Sequence, residues 1–162
     1  SASAYLSQFP LFSSGEGNQG ELPDHLLIYT AANTVEESLL SKKLPKEKCV
    51  LTYEVVNQRK VLFVPAVDKN TRLHLWRTER RDAAGQLMLV PLVDEKANKV
   101  LGVLGVDTMT RGEKALSDEE KNTIERAAER MTLAIIQGRA AQERCNASLI
   151  DVAKTQVREW AS

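Results

Sequence analysis

A chain of 162 residues fits one domain with a real core, and its apolar share of 43% and charged share of 27% are those of an ordinary soluble globular protein. Lys plus Arg number 22 and Asp plus Glu 22, so no net field draws the chain to nucleic acid or to an acidic membrane surface. The cysteines, Cys49 and Cys145, form no metal or redox spacing, and no apolar run approaches the roughly 20 residues of a membrane helix. Unpaired cysteines point to a reducing compartment, hence the cytoplasm. The start "SASAYLSQFPLF" lacks the basic lead and apolar stretch of a signal peptide.

Ala4 to Leu11 alternates loosely and reads as a strand. Ser13 to Asp24 is a polar connection with three glycines and Pro23, and His25 to Ala31 returns as the second strand of a hairpin. Thr34 opens a short helix with Glu37 at the reciprocal position of a capping box, and Pro45 stops it. Cys49 to Asn57 suits either a short helix or a strand. Val61 to Val64 is a short strand ended by Pro65, and Asp68 to Trp76 reads as a turn with a single helical turn.

Leu87 to Val93 and Val100 to Thr108 are oily runs separated by a polar turn carrying Asn98. They form a hairpin apolar on both faces, as a covered central position requires. Gly102 and Gly105 mark tight packing or a close approach by helix or ligand.

"SDEE", Ser117 to Glu120, is a capping box with acids at the positive end of a helix. Ile124, Ala128, Met131 and Ile135 then recur at heptad steps, and the register continues through Gly138, Gln142, Cys145, Leu149 and Val152. Unbroken to Trp160, this helix would run about 65 Å. Two outcomes fit: its far half pairs with another chain, or Gly138 breaks it and Ala140 to Trp160 folds back onto the sheet. Clustered antiparallel strands followed by one strong helix make an α+β fold.

Three segments resemble the GAF domain, a small-molecule sensor module of signalling proteins. "LIYTAAN" with "SLLSKKLP" is similar to the second strand and the stretch before the Leu-Pro element. "EVVNQRKVLFVPAVDKNTRL" is similar to the family's helix, strand and binding-lid entry. "LMLVPLVDEKANKVLGVLGVDT" with "LSDEEKNTIERAAERMTLAI" is similar to its final hairpin and C-terminal helix. The resemblance implies a six-stranded antiparallel sheet, with a long C-terminal helix on one face and short helices and loops over a pocket on the other. It divides the chain into a GAF-like domain, 4–136, and a helical extension, 137–162. Because the family usually places a long helix before its first strand, the chain is expected to be a piece of a larger protein.

The resemblance also implies a ligand-binding set of Cys49, Tyr53, Asp68, Asn70, Arg72, His74 and Trp76. The family's special chemistries are missing from it. His74 has no neighbouring Cys for a bilin, the cyclic-nucleotide signature does not align, and the clustered cysteines of the free methionine-sulfoxide reductases are absent. A Cys49, His74 and Asp68 nucleophilic set exists on paper, but no spacing singles it out. Arg77, Arg80 and Arg81 lie among Glu79 and Asp82 as a mixed-charge face, or one of them holds an anionic ligand. The expectation is a non-catalytic regulatory module needing no cofactor and no metal. Its partners are an unknown small molecule and a second copy or partner helix, docked along Ile124, Ala128, Met131, Ile135, Leu149 and Val152. A ligand-free scaffold module is the alternative, and an enzyme using Cys49 a distant one.

Overall fold

The two oily runs become β5 (Leu87–Asp94) and β6 (Lys99–Asp107), paired antiparallel from Leu87↔Asp107 to Asp94↔Lys99. The computed structural model describes residues 3–8, 25–32, 43–67, 85–108 and 115–160, with side chains over 45–67, 85–108 and 115–151. Among these, β1 (Ser3–Gln8), β2 (His25–Ala32), β3 (Lys43–Pro45) and β4 (Leu62–Val64) join β5 and β6 in one antiparallel sheet of order β3-β2-β1-β6-β5-β4. The first and last strands therefore meet at its centre.

Alternation sends β5 and β6 side chains to two different helices. Leu87 and Leu89 pack with Leu51, Tyr53, Val55 and Val56 of α1 (Val50–Gln58). Met88, Val90 and Leu92 pack with Leu116 and with Ala128 of α2 (Asp118–Trp160). On β6 the alternation is re-phased by a bulge, because Leu92 faces Gly102 while Val93 faces Val100 and leaves Leu101 extra. Leu101 thereby joins Leu104 and Val106 on the α2 side, while Val100 and Val103 stay on the α1 side. Leu92 and Val103 are both 0% exposed. Truncating Leu92 to alanine costs about 3 kcal/mol by the usual transfer and cavity terms.

Pro91 sits in β5 beyond the reach of β4, which pairs with Leu87–Leu89, so among the described residues its missing N–H falls on a stretch of edge with no strand beside it. The turn after β5 is held by the Asp94 carboxylate, which accepts from the Lys96 and Ala97 amides at 3.0 and 3.1 Å.

Cys49 to Asn57, which suits helix or strand by sequence, is helical. Leu51, Thr52, Tyr53, Val55 and Val56 are all buried, a breadth of apolar face that a one-sided strand cannot offer. Arg59 ends α1 in the left-handed conformation (φ 54°) and donates its amide to Val55 O at 2.8 Å.

The helix expected from Thr34 falls on residues outside those described, but its expected end does not. Lys43–Pro45 is a strand paired with His25–Leu27. Pro45 is tolerated there because β3 is the outer strand and Pro45 its last residue.

α2 begins as its sequence dictates. The Ser117 amide donates to Glu120 Oε2 at 2.9 Å, and the Glu120 amide donates back to Ser117 Oγ at 3.2 Å. Replacing Ser117 by alanine removes about 1 kcal/mol of helix stability. Lys121 Nζ lies 4.8 Å from the centre of the Phe63 ring, tying the first turn to β4. The helix then runs 43 residues without interruption to Trp160. The fold-back of Ala140 to Trp160 is thereby overturned: Gly138 stays helical, and residues 141–145 and 147–151 are exposed.

Candidate functional site

Of the residues that the resemblance assigns to ligand binding, the structure brings two together, Cys49 and Tyr53, at the start of α1. The Cys49 amide bonds back to Pro45 O at 3.1 Å, so a turn leads into the helix, and the Tyr53 amide donates to Cys49 O at 3.0 Å. Tyr53 is 3% exposed and belongs to the α1-side core, against which Cys49 also packs. Burial pushes the Cys49 thiol up to about 11, which keeps it neutral and a poor nucleophile at neutral pH. An open hollow of about 400 Å³ lies over this helix, lined by Lys46, Val50, Tyr53, Glu54, Asn57 and Gln58. Asp68, Asn70, Arg72, His74 and Trp76 lie outside the described residues. Among the described residues no three His, Cys, Asp or Glu side chains gather as metal ligands, and no helix is long and apolar enough to cross a membrane.

The larger hollow lies on the opposite face of the sheet. A groove of about 880 Å³ runs between α2 and the end of β5 with its turn. Its floor is apolar: Val90, Pro91 and Val93 from β5, Ala128, Thr132, Leu133 and Ile136 from α2. Its rim is charged, with Glu125 and Glu129 on the helix side and Arg59, Glu95 and Lys96 on the turn side. Thr132, 8% exposed, satisfies its hydroxyl by donating to Ala128 O at 2.9 Å. The Arg59 guanidinium is held by Asn98, whose side-chain oxygen accepts from Nη1 and whose carbonyl accepts from Nη2 at 2.9 Å.

The helical seam expected to meet a partner is divided by the fold. Ala128 is buried, and Ile124, Met131 and Ile135 pack against the same α2-side core, so the chain's own sheet occupies that half. Leu149 is 63% exposed, and Val152 lies on the helix with its side chain outside the described residues. Leu133 and Ile150, which the heptad reading did not select, are 59% and 54% exposed. The signal for them was present as a second stripe of the same period, masked by the stronger one.

A family model described as the EFCB5 first GAF domain matches residues 7–129, the greater part of the chain. Comparison with curated protein sequences gives no match. Among solved structures, the GAF domain of a phosphoenolpyruvate-protein phosphotransferase from Coxiella burnetii superposes with a TM-score of 0.65. It is 12% identical and covers 87% of this chain and 75% of its own. The GAF domain of a two-component sensor histidine kinase from Bacillus halodurans reaches 0.62 at 14% identity, covering 88% and 85%. A type II free methionine-R-sulfoxide reductase from Thermoplasma acidophilum shares the fold at 0.53 and 11% identity, covering 81% and 74%. At such identities the structures speak for the fold alone: α+β, GAF-like, with a long C-terminal helix. With the family model spanning both the sheet and the first turns of α2, the chain belongs to the GAF domain family, the regulatory and sensory modules of signalling proteins.

Proposed function

We propose that the chain is a non-catalytic regulatory module of a larger signalling protein, which senses a small molecule, pairs with a second copy, or does both. The observation that supports this reading is α2 itself. One continuous helix packs on the sheet through Ile124, Ala128 and Met131 and then leaves the domain with residues 141–145 and 147–151 exposed. A change in sheet packing is thereby passed along a rigid rod. A ligand acts by favouring one packing of that rod over another through its differential affinity. The neutral Cys49 thiol speaks against nucleophilic catalysis, and two free cysteines suit a reducing cytoplasm.

Thermal-shift screening of nucleotides and metabolites against wild type and Trp76→Ala tests the sensing branch. A response in wild type that vanishes in the variant supports a ligand pocket near residues 68–76. A ligand-free scaffold module is the second reading, favoured because Cys49 and Tyr53 are engaged in core packing. Silence from both proteins selects it. Turnover that is lost in Cys49→Ala overturns both.

A further inference from the structure

We propose that the α2 groove receives the far half of α2 from a second copy of the chain, in an antiparallel pair whose twofold axis passes between Ala141 and Gln142. This rests on the dimerisation named above and specifies its surface and direction.

The groove-facing residues of α2 form a stripe that continues past the sheet. Glu129, Leu133, Ile136, Ala140, Glu143, Ala147, Ile150 and Lys154 follow each other at alternating four- and three-residue steps on an uninterrupted helix. Apart from Ile136, which also packs against the sheet core, this stripe is distinct from the one spent on the sheet. It is also self-complementary about its midpoint, as an isologous interface must be. Antiparallel pairing sets Leu133 against Ile150 and Ile136 against Ala147. It sets the rim acids Glu129 and Glu125 against positions 154 and 158, which are Lys and Arg. Leu133 and Ile150 are the exposed apolar residues this arrangement covers.

Competing occupants fit less well. A parallel, in-register pair would stack Glu129 on Glu129, Glu143 on Glu143 and Lys154 on Lys154. An added β-strand would meet Pro91, which has no N–H to offer along the edge of β5.

Positions 129 and 154 are roughly 37 Å apart along one helix, so their charges meet only between copies. Sedimentation equilibrium on wild type, Glu129→Lys, Lys154→Glu and the double variant therefore reads the pairing directly. Each single reversal, acting at two symmetric sites, should raise the dissociation constant about tenfold, and the double reversal should restore it. Leu133→Asp should abolish the dimer with an unchanged circular dichroism spectrum, since Leu133 is 59% exposed. A dimer that the double reversal fails to restore, or that Leu133→Asp leaves intact, overturns the antiparallel arrangement while leaving dimerisation standing. A wild type that stays monomeric at high micromolar concentration overturns both.

Discussion

Arg59 and Asn98, 39 positions apart, share a left-handed backbone and a pair of hydrogen bonds that join the end of α1 to the β5–β6 turn. Among the described residues they are the non-glycine positions with positive φ, at 54° and 51°. Each conformation costs about 1 kcal/mol for a side-chain-bearing residue, and the bonds between them offset part of it. Because Asn98 offers both its side-chain oxygen and its carbonyl, the guanidinium is steered toward the groove rim.

Arg59→Ala keeps the backbone strain and loses both bonds, so it should destabilise the fold by about 1 kcal/mol. Arg59→Gly loses the same bonds but relieves the left-handed strain, and should unfold close to wild type. Urea midpoints distinguish the two. Equal losses in both variants would show that the left-handed conformation carries no weight.

The half-buried Cys49 thiol yields a prediction in pH. Its value is about 11 in the folded chain against 9.0 for a free thiol, so the folded state keeps the proton over that interval. Stability from this group is complete below pH 9 and falls as pH climbs toward 11. Cys49→Ala should flatten that alkaline slope. At pH 8 the folded Cys49 holds about a hundredfold less thiolate than an unperturbed cysteine. Iodoacetamide with mass mapping should therefore label exposed Cys145 first and half-buried Cys49 far more slowly.

Gln86 ties the end of β6 to the approach to α2. Its amide donates to Thr108 Oγ1 at 2.9 Å, its carbonyl accepts from the Thr108 amide at 2.9 Å, and its side-chain oxygen accepts from the Leu116 amide at 2.8 Å. Thr108 is 0% exposed. Thr108→Val keeps the shape and strips the acceptor from the Gln86 amide, which should cost about 2 kcal/mol. Gln86→Ala should cost a similar amount by leaving the Leu116 amide unpaired. Hydrogen exchange should quicken at residue 86 in Thr108→Val and at residue 116 in Gln86→Ala; unchanged protection at 116 in Gln86→Ala would remove Gln86 from this role.

What could be seen in the sequence was local. The capping box at Ser117, the hairpin around Asn98 and the helical period after Ile124 each depend on residues within a turn or two, where side chain and backbone chemistry decide the outcome. The Leu101 bulge was not visible, because it arises from a register set jointly by β5 and β6. Nor was the groove, assembled from Arg59 and Val61, the end of β5 with its turn, and α2. The heptad reading found a true period but assigned its strongest stripe to a partner, when the sheet lies nearer. Length alone had signalled that some of α2 must leave the domain, and it does, beyond residue 140. Of the expected ligand set, Cys49 and Tyr53 came to the same helix start, and the others fall in the stretch from 68 to 76.

Gly138 offers the sharpest test of helix continuity. A Cβ built there meets nothing within 4 Å, so alanine enters open space. In an unbroken helix, glycine costs about 1 kcal/mol relative to alanine through its backbone entropy. Gly138→Ala should therefore stabilise α2 by roughly that amount, raise the far-ultraviolet helical signal, and slow amide exchange from residue 134 to residue 146. If Gly138 instead served as a hinge between two helices, the substitution would leave helicity flat or disturb the fold around it. A gain in helicity carried equally by both sides of position 138 is the result that one rigid rod requires.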